Sequence, residues 1–413
     1  MISSTPHCAS PSYRIEVSGS LSPFEQLWPV TGALGDARCY PFQCADVLRV
    51  WCETIGRARN VEPFFVAAFG AANEPVFLLP LGIYNSNGTR VVRFLDGGVS
   101  DYNAPVVFSA AANLTRRDMQ ALWDSLREQL APVDLILLEK MPEYVHDIRN
   151  PLADFATHSH GEDCHAVTLN GSWDEFASRH MPSLRDSQRR RRKLDKLGTV
   201  RFAIARTENE RQRFFAAMVC MKRKRFADTS AHDIFADPGY LEYYTEMTRA
   251  LGPGGTVQLS ALLLNDRILA ADWGFVSGNR FYDLMPGYQS GEWRSYSPGR
   301  LLTEWMTEQC LEQGMEAFDY GIGDEPYKFR YCNSRISLQD ACVPETVKGA
   351  IYGKMLLLQS AAKSLLRETK VGGMLKAARR RIREIKPSQP PTGGYAPAMA
   401  ALICSATLVA DAV

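Results

Sequence analysis

The sequence predicts an α+β protein made of two copies of one module, each a mixed, mostly antiparallel sheet flanked by helices, with a basic helical segment after them. Three observations carry this reading. The order three strands, helix, strand occurs twice along the chain. Within each run the strands are joined by short turn-forming stretches, which pair them antiparallel, whereas the last strand follows a helix, which permits a parallel neighbour. The 413 residues, 46% hydrophobic and 23% charged, suffice for two cores at roughly 100 to 200 residues per domain.

The first module spans 13–150. Phe64–Phe69, Pro75–Leu81 and Thr89–Leu95 read as strands from their apolar, β-branched and aromatic content. A loop, Asp96–Asn103, leads through Val106-Val107-Phe108 to a helix over Arg116–Leu130, and strand Val133–Glu139 closes the run. The second module spans 164–345. Strand His165–Leu169 precedes a helix over Ser172–His180, opened by the capping pair Ser172 and Glu175. A basic helix lies between Ser183 and Gly198, where the glycine stops it. Strand Val200–Ala205 follows, then helix Thr207–Phe226, opened by Thr207 and Glu210. The strands Gln258–Leu264, Ile268–Val276 and Arg280–Pro286 are connected through Asn265-Asp266 and Ser277-Gly278-Asn279, and both are hairpin turns. Helix Pro298–Gln313 stops at Gly314 and feeds strand Met315–Tyr320.

Formal charge sums to +1, which names no polyanionic partner, but it is unevenly placed. Residues 348–386 hold eleven basic and two acidic side chains, with Ile351, Met355, Leu358, Leu365, Leu366, Leu375 and Ile382 at helical spacing. The segment 346–386 therefore reads as an amphipathic helix broken at Gly372-Gly373, suited to packing on the body, to peripheral membrane contact or to a nucleic-acid contact. Pro387, Pro390, Pro391 and Gly393-Gly394 then open a flexible stretch with an apolar end, 387–413. Its run Ala396–Ala410 falls short of the roughly 18 apolar residues of a spanning helix. Ten cysteines without a C-x-x-C pair read as reduced thiols. With no secretory signal over Met1–Ser12, they point to the cytoplasm.

Two stretches carry candidate chemistry. In Tyr296-Ser297-Pro298-Gly299-Arg300-Leu301, Ser297 is a favourable N-cap and Pro298 suits the first helical position. Gly299 leaves the backbone N–H groups unobstructed and Arg300 adds a cation. The stretch reads either as an ordinary capped helix or as an anion site for a phosphate or pyrophosphate. In Phe318-Asp319-Tyr320-Gly321-Ile322-Gly323-Asp324-Glu325-Pro326-Tyr327-Lys328, carboxylates, tyrosines and a lysine crowd around glycines at the end of a buried strand, as a polar turn or as a site. The run Arg189–Lys193 is a solvated face or a phosphate contact, and Lys222-Arg223-Lys224-Arg225, at a helix end, leaves open a contact with an acidic substrate. His158, His160, Cys164 and His165 are too irregularly spaced for a zinc set, and no metal is expected.

In their order these stretches resemble the GNAT acyltransferase superfamily, and more narrowly its CelD-like branch, linked to bacterial polysaccharide (cellulose) biosynthesis and related to the Fem-type peptidyltransferases. The matching pieces are Leu184–Gly198, the meander with Ala270-Ala271 and Tyr282, Tyr296–Leu302, and Phe318–Gly321 leading to Asp324–Lys328. The resemblance covers about 165–335 and extends faintly to the first module, giving tandem GNAT-like modules. It implies that strands Arg280–Pro286 and Met315–Tyr320 splay to admit the pantetheine arm of acetyl-CoA or another acyl-CoA. The pyrophosphate then sits on Tyr296, Ser297, Pro298, Gly299, Arg300 and Leu301. It also implies transfer of the acyl group from the thioester to the amine of a small molecule or sugar, directly in a ternary complex. Such chemistry needs a base for the acceptor and an acid for the leaving thiolate. By position Asp319 and Glu325 are the candidate bases, Tyr327 and Tyr288 the candidate acids, and Asp272 and Lys328 substrate-facing groups. The first module has Asp96-Gly97-Gly98 where the phosphate loop belongs and is expected to hold no cofactor. Two alternatives stand beside this reading. One is a Fem-like transferase using aminoacyl-tRNA, whose long helical-hairpin insertion is not found in this sequence; the other is a non-catalytic component of an exopolysaccharide assembly system. No specific nucleic acid partner is expected.

Overall fold

The structure, a computed structural model, describes residues 13–368. These residues form two compact units, one comprising the chain up to Asp163 with Ile336–Leu357, the other Cys164–Arg335 with the chain from Leu358. Each unit holds an eight-stranded mixed sheet.

In the second unit Val200–Ile204, Val257–Leu264, Arg267–Ser277 and Arg280–Asp283 run antiparallel, neighbour to neighbour. Arg280–Asp283 then pairs in parallel with Ala317–Ile322, and Cys164–Thr168 and Ser334–Ile336 complete the order. A short strand, Gly287–Tyr288, folds back on Arg267–Ser277. The first unit repeats this plan: Arg14–Ser18, Glu62–Phe69, Pro75–Ser86 and Thr89–Phe94 are antiparallel, Leu135–Pro142 is parallel to the last of them, and Leu338–Pro344 and His158–Ser159 follow. Here too a short strand, Val106–Val107, folds back on the third. The helical crossover is Arg116–Gln129 in one unit and Pro298–Glu312 in the other, as a parallel pair requires.

Local chemistry explains the elements. Ser172 with Glu175 and Thr207 with Glu210 form reciprocal capping boxes, as does Thr115 with Asp118. Asn265 at φ 52° and Gly278 at φ 55° supply the positive dihedrals of the two hairpin turns. In the second unit one core gathers Val167, Phe176, Leu194, Phe281, Leu302, Met306 and Phe318 from three helices and the sheet.

Several elements escape the sequence reading. Strand Arg14–Ser18 and helix Ala45–Trp51, which continues as a π-turn to Gly56, belong to the first unit. A Cβ on Gly56 would lie 2.8 Å from the Trp51 ring, so only glycine closes that turn. Helix Tyr240–Leu251 buries Tyr240, Tyr243, Tyr244 and Met247 at helical spacing, and the Trp273 indole donates to Thr248 at 2.8 Å. The expected boundary at 345 is displaced. Leu338–Pro344 pairs with Leu135–Pro142 and so belongs to the first sheet, because a strand's own sequence carries no information about which open edge will receive it. The basic segment begins as helix Val347–Glu368. It docks on the first unit where Gly349 lets the helix touch the Asp134 carbonyl, and Tyr352 and Leu356 cover Val91, Leu135 and Leu137. The break at Gly372-Gly373, the rest of the basic segment to 386, and 387–413 lie outside the described residues. No helix among the described residues is long and apolar enough to cross a membrane.

Candidate active site

Strands Arg280–Asp283 and Ala317–Ile322 pair only at Arg280↔Ala317, Phe281↔Phe318 and Tyr282↔Asp319. Beyond that point each keeps its other neighbour. Met285 exchanges backbone hydrogen bonds with Trp273, and Gly287 and Tyr288 pair with Ala271 and Ala270. On the other side Ile322 pairs with Cys164. A wedge therefore opens between Asp283 and Tyr320, where neither strand pairs with the other.

Two carboxyls stand at this wedge. Asp283 is opposite Gly274, so with a period of two it shares a sheet face with Asp272. Both are buried, and no side-chain N–H donates to either oxygen of Asp272 or to Oδ1 of Asp283; the Trp273 backbone N–H is the one amide that favours the Asp272 carboxylate. Burial, and then the adjacent Asp283 carboxyl, holds Asp272 well above the ordinary carboxylate range. Burial likewise raises Asp283, against the pull of Asp272, Lys328 and Lys222. A shared proton satisfies such a pair. Lys222 faces it from the helix Glu208–Thr229, and burial, reinforced by Arg225, lowers the proton affinity of its ammonium. Burial and then the same carboxylates push the Cys310 thiol up to about 12. Burial, Asp283 and Glu325 hold the Tyr327 hydroxyl above its ordinary value, so it remains an O–H donor at neutral pH.

The other sequence-predicted residues fall into two groups. Asp319 is wholly buried, and its two oxygens accept from Arg280 Nη1 and the Gly321 N–H, each at 2.8 Å. It anchors the strand end and does not stand free as a base. Lys328 is also buried, and its ammonium donates to the Gly321 carbonyl at 3.1 Å, the Ile322 carbonyl at 2.7 Å and Glu325 at 3.1 Å. All three protons serve the loop, so no free charge is presented to a substrate. Glu325 is exposed beside it. Tyr288 lies across the start of the helix Pro298–Glu312: a Cβ on Gly299 would meet its ring at 2.7 Å, and Arg225 donates to its hydroxyl.

Ser297 does not cap that helix. It sits at φ 52°, ψ 55° with no side-chain bond to the first turn. The 3-10 turn Gly291–Tyr296 runs straight into it, with the Ser297 N–H donating to the Arg294 carbonyl at 3.2 Å. The chain must reverse hand at Ser297, whereas a capping serine needs extended backbone. The consequence favours an anion, because the first N–H groups of the helix are left without a side-chain acceptor. A left-handed non-glycine costs about 1–3 kcal/mol and marks functional loops. Arg300 is committed as well, donating to Asp186 at 2.6 Å. Asp186 also accepts from Arg189 and Arg190, and those guanidiniums hold its carboxyl far below the usual range. Arg190 in turn donates to the Ser295 carbonyl. The arginine-rich helix Leu184–Leu194 thus braces the loop, with Arg185, Arg192 and Lys193 exposed. Leu301 packs in the core, and Tyr296 is half-buried beside Trp293.

In the first unit the corresponding loop is closed on itself. Asp96 accepts from the N–H groups of Gly98 and Ser100 at 3.0 and 2.9 Å, and no helix starts there. The histidines form no metal set: His160 and His158 reach Asp340 at 2.9 and 3.5 Å, while His165 bonds Asp324 at 2.8 Å. No group of three or more His, Cys, Asp or Glu among the described residues is arranged for a metal ion. Sequence reasoning missed Asp283 as a site residue. Its signal was an acid placed inside the buried strand Phe281-Tyr282-Asp283, against strand preference.

Residues 183–329 match the acetyltransferase (GNAT) domain family. Among solved structures the chain is similar to FemX, at 14% identity over 74% of this chain and 93% of that one, with a TM-score of 0.49. It is also similar to a conserved protein of unknown function from Bacteroides thetaiotaomicron, at 11% identity over 80% of this chain and 100% of that one, TM-score 0.48. A tandem GNAT protein from the clavulanic acid biosynthesis pathway aligns at 11% identity over 81% of this chain and 100% of that one, TM-score 0.43. No curated protein matches. The domain match and the splayed parallel strands agree, and residues 183–329 of this chain form a domain of the GNAT superfamily.

Proposed function

We propose that the protein is an acyl-CoA-dependent N-acyltransferase that works by direct transfer in a ternary complex. The observation that carries this reading is the wedge between Arg280–Asp283 and Ala317–Ile322, with a buried carboxyl pair beside it. The pyrophosphate of the acyl donor takes the uncapped N–H groups of Gly299 and Arg300, and the pantetheine arm enters between the two diverging strands. The acceptor nitrogen attacks the thioester carbonyl, and the tetrahedral oxyanion then collapses to the amide as the carbon–sulfur bond breaks. The nitrogen's proton passes to the Asp272–Asp283 pair, whose raised proton affinity suits it to the task. Tyr327, held protonated, donates to the leaving thiolate. The resemblance to CelD-like chains makes a sugar amine the first acceptor to assay. All eight cysteines among the described residues are free thiols, which supports a cytoplasmic location.

Thermal unfolding and calorimetry with acetyl-CoA, longer acyl-CoAs and CoA at equal ionic strength test the reading. A donor at about 100 times its Kd stabilises the native state by about 2.7 kcal/mol. Gly299→Glu drives a side chain into the Tyr288 ring and a negative charge onto the helix start, so affinity falls at least about tenfold. No stabilisation by any donor, or unchanged affinity in Gly299→Glu, sinks the assignment.

A further inference from the structure

We propose that the first module binds, in a cavity inside its own strand fork, a small organic anion that also carries hydroxyl or amino groups. The first sheet opens as the second does. Thr89–Phe94 and Leu135–Pro142 pair in parallel only at Val91↔Leu135 and Val92↔Ile136. Phe94 then stays with Leu81, while Leu137 and Leu138 stay with Cys342 and Ala341. A cavity of about 350 Å³ occupies the opening, which is the size of a small-molecule site.

Its chemistry differs from that of the second module. Where the second fork holds a carboxyl pair, this one is lined by Arg59, Arg93 and Lys140 against Asp96 and Glu139. Lys140 and Asp96 neutralise each other at 2.7 Å, and Lys140 also donates to the Ser100 carbonyl at 2.7 Å. Arg93 reaches Glu139 at 3.3 Å through one nitrogen, and its buried Nε has no acceptor. Burial raises the Glu139 carboxyl toward its neutral form despite Arg93. The recess therefore carries an excess of positive charge and an unspent guanidinium N–H. A carboxylate or phosphate satisfies both through the planar fork of Arg93. Glu139, on the cavity wall, is placed for a hydroxyl or amine on the same ligand, beside the Tyr84 hydroxyl, which donates to the Phe94 carbonyl. A CoA pyrophosphate does not fit this description, because the N–H groups of Gly98 and Ser100 are turned onto Asp96.

Calorimetry on the full chain with glucosamine 6-phosphate, glucuronate, gluconate and inorganic phosphate tests the inference. At least one organic anion binds with one-to-one stoichiometry and a Kd below about 1 mM, more tightly than inorganic phosphate. Binding by the phosphorylated arm alone identifies a phosphate ligand, and binding by the acids alone identifies a carboxylate. Arg93→Met weakens binding about tenfold to a hundredfold, the range for a charge-assisted hydrogen bond. Lys354→Met, which removes an exposed cation elsewhere in the unit, leaves it unchanged. Arg59→Met and Glu139→Gln serve as second variants if Arg93→Met does not fold. The inference is overturned if no organic anion binds, if inorganic phosphate binds equally well, or if binding survives loss of the cavity cations.

Discussion

Replacing Asp283 by asparagine keeps the shape of the side chain and removes one of two carboxyls that share a buried site. In the wild-type protein no side-chain N–H donates to Asp272, and the Trp273 backbone N–H is the one amide that favours its carboxylate. The amide of the variant supplies a side-chain N–H, so Asp272 ionises more easily and the pair loses its shared proton. Two consequences follow with opposite signs. Folded-state proton affinity above the ordinary 3.8 means that the native protein binds more protons than the unfolded chain, and wild-type stability falls as pH rises from 3.8 through the raised value. The variant loses much of that fall, and at pH 8 it is at least as stable as wild type. Catalysis moves the other way: losing a positioned proton acceptor costs about 10²- to 10⁴-fold in kcat, or about 3 to 5 kcal/mol in the barrier. Chromogenic detection of CoA thiol released in the presence of glucosamine and other amines gives the rate, and urea unfolding at pH 5 and pH 8 gives the stability. Turnover within about threefold of wild type refutes the proton-acceptor role, and a loss of more than about 2 kcal/mol at pH 8 refutes the electrostatic reading of the pair.

Tyr327→Phe removes the donor to the thiolate and lowers kcat by about 10²-fold with little change in KM for the acyl donor; an effect on KM alone places Tyr327 in binding instead. Arg280→Met leaves the wholly buried Asp319 carboxylate without its cation and costs about 3–5 kcal/mol in urea unfolding, whereas a loss under about 1 kcal/mol shows that Asp319 is not the anchor described. His160 binds its proton more tightly than the ordinary 6.5, because the Asp340 hydrogen bond and charge outweigh the opposing effect of burial. Its contribution to stability is complete below pH 6.5 and is lost as pH rises through the raised value, so His160→Gln flattens the stability profile from pH 6.5 upward.

Short-range chemistry was legible in the sequence. Capping pairs such as Thr207 with Glu210 and turn residues such as Asn265 and Gly278 act within four residues, so they announce themselves without the rest of the chain. The repeated order of strands and helices carried the two-module plan, and the run Ser297-Pro298-Gly299 located a helix start. Helix Tyr240–Leu251 was missed, although the spacing of its tyrosines and Met247 carried the signal. The candidate site was legible only in part, since residue types show which groups can react and not which of them remain unspent. Asp319, Lys328 and Arg300 have suitable chemistry, yet Arg280, three loop acceptors and Asp186 claim them. Asp272 and Asp283 look like ordinary strand acids until the register buries them together on one face with no side-chain N–H donor beside them. Where Leu338–Pro344 pairs, which hand Ser297 takes and which fork holds an open cavity follow from contacts between residues far apart in the chain. Those contacts depend on loop closure and on competition for partners, and tertiary structure alone decides both.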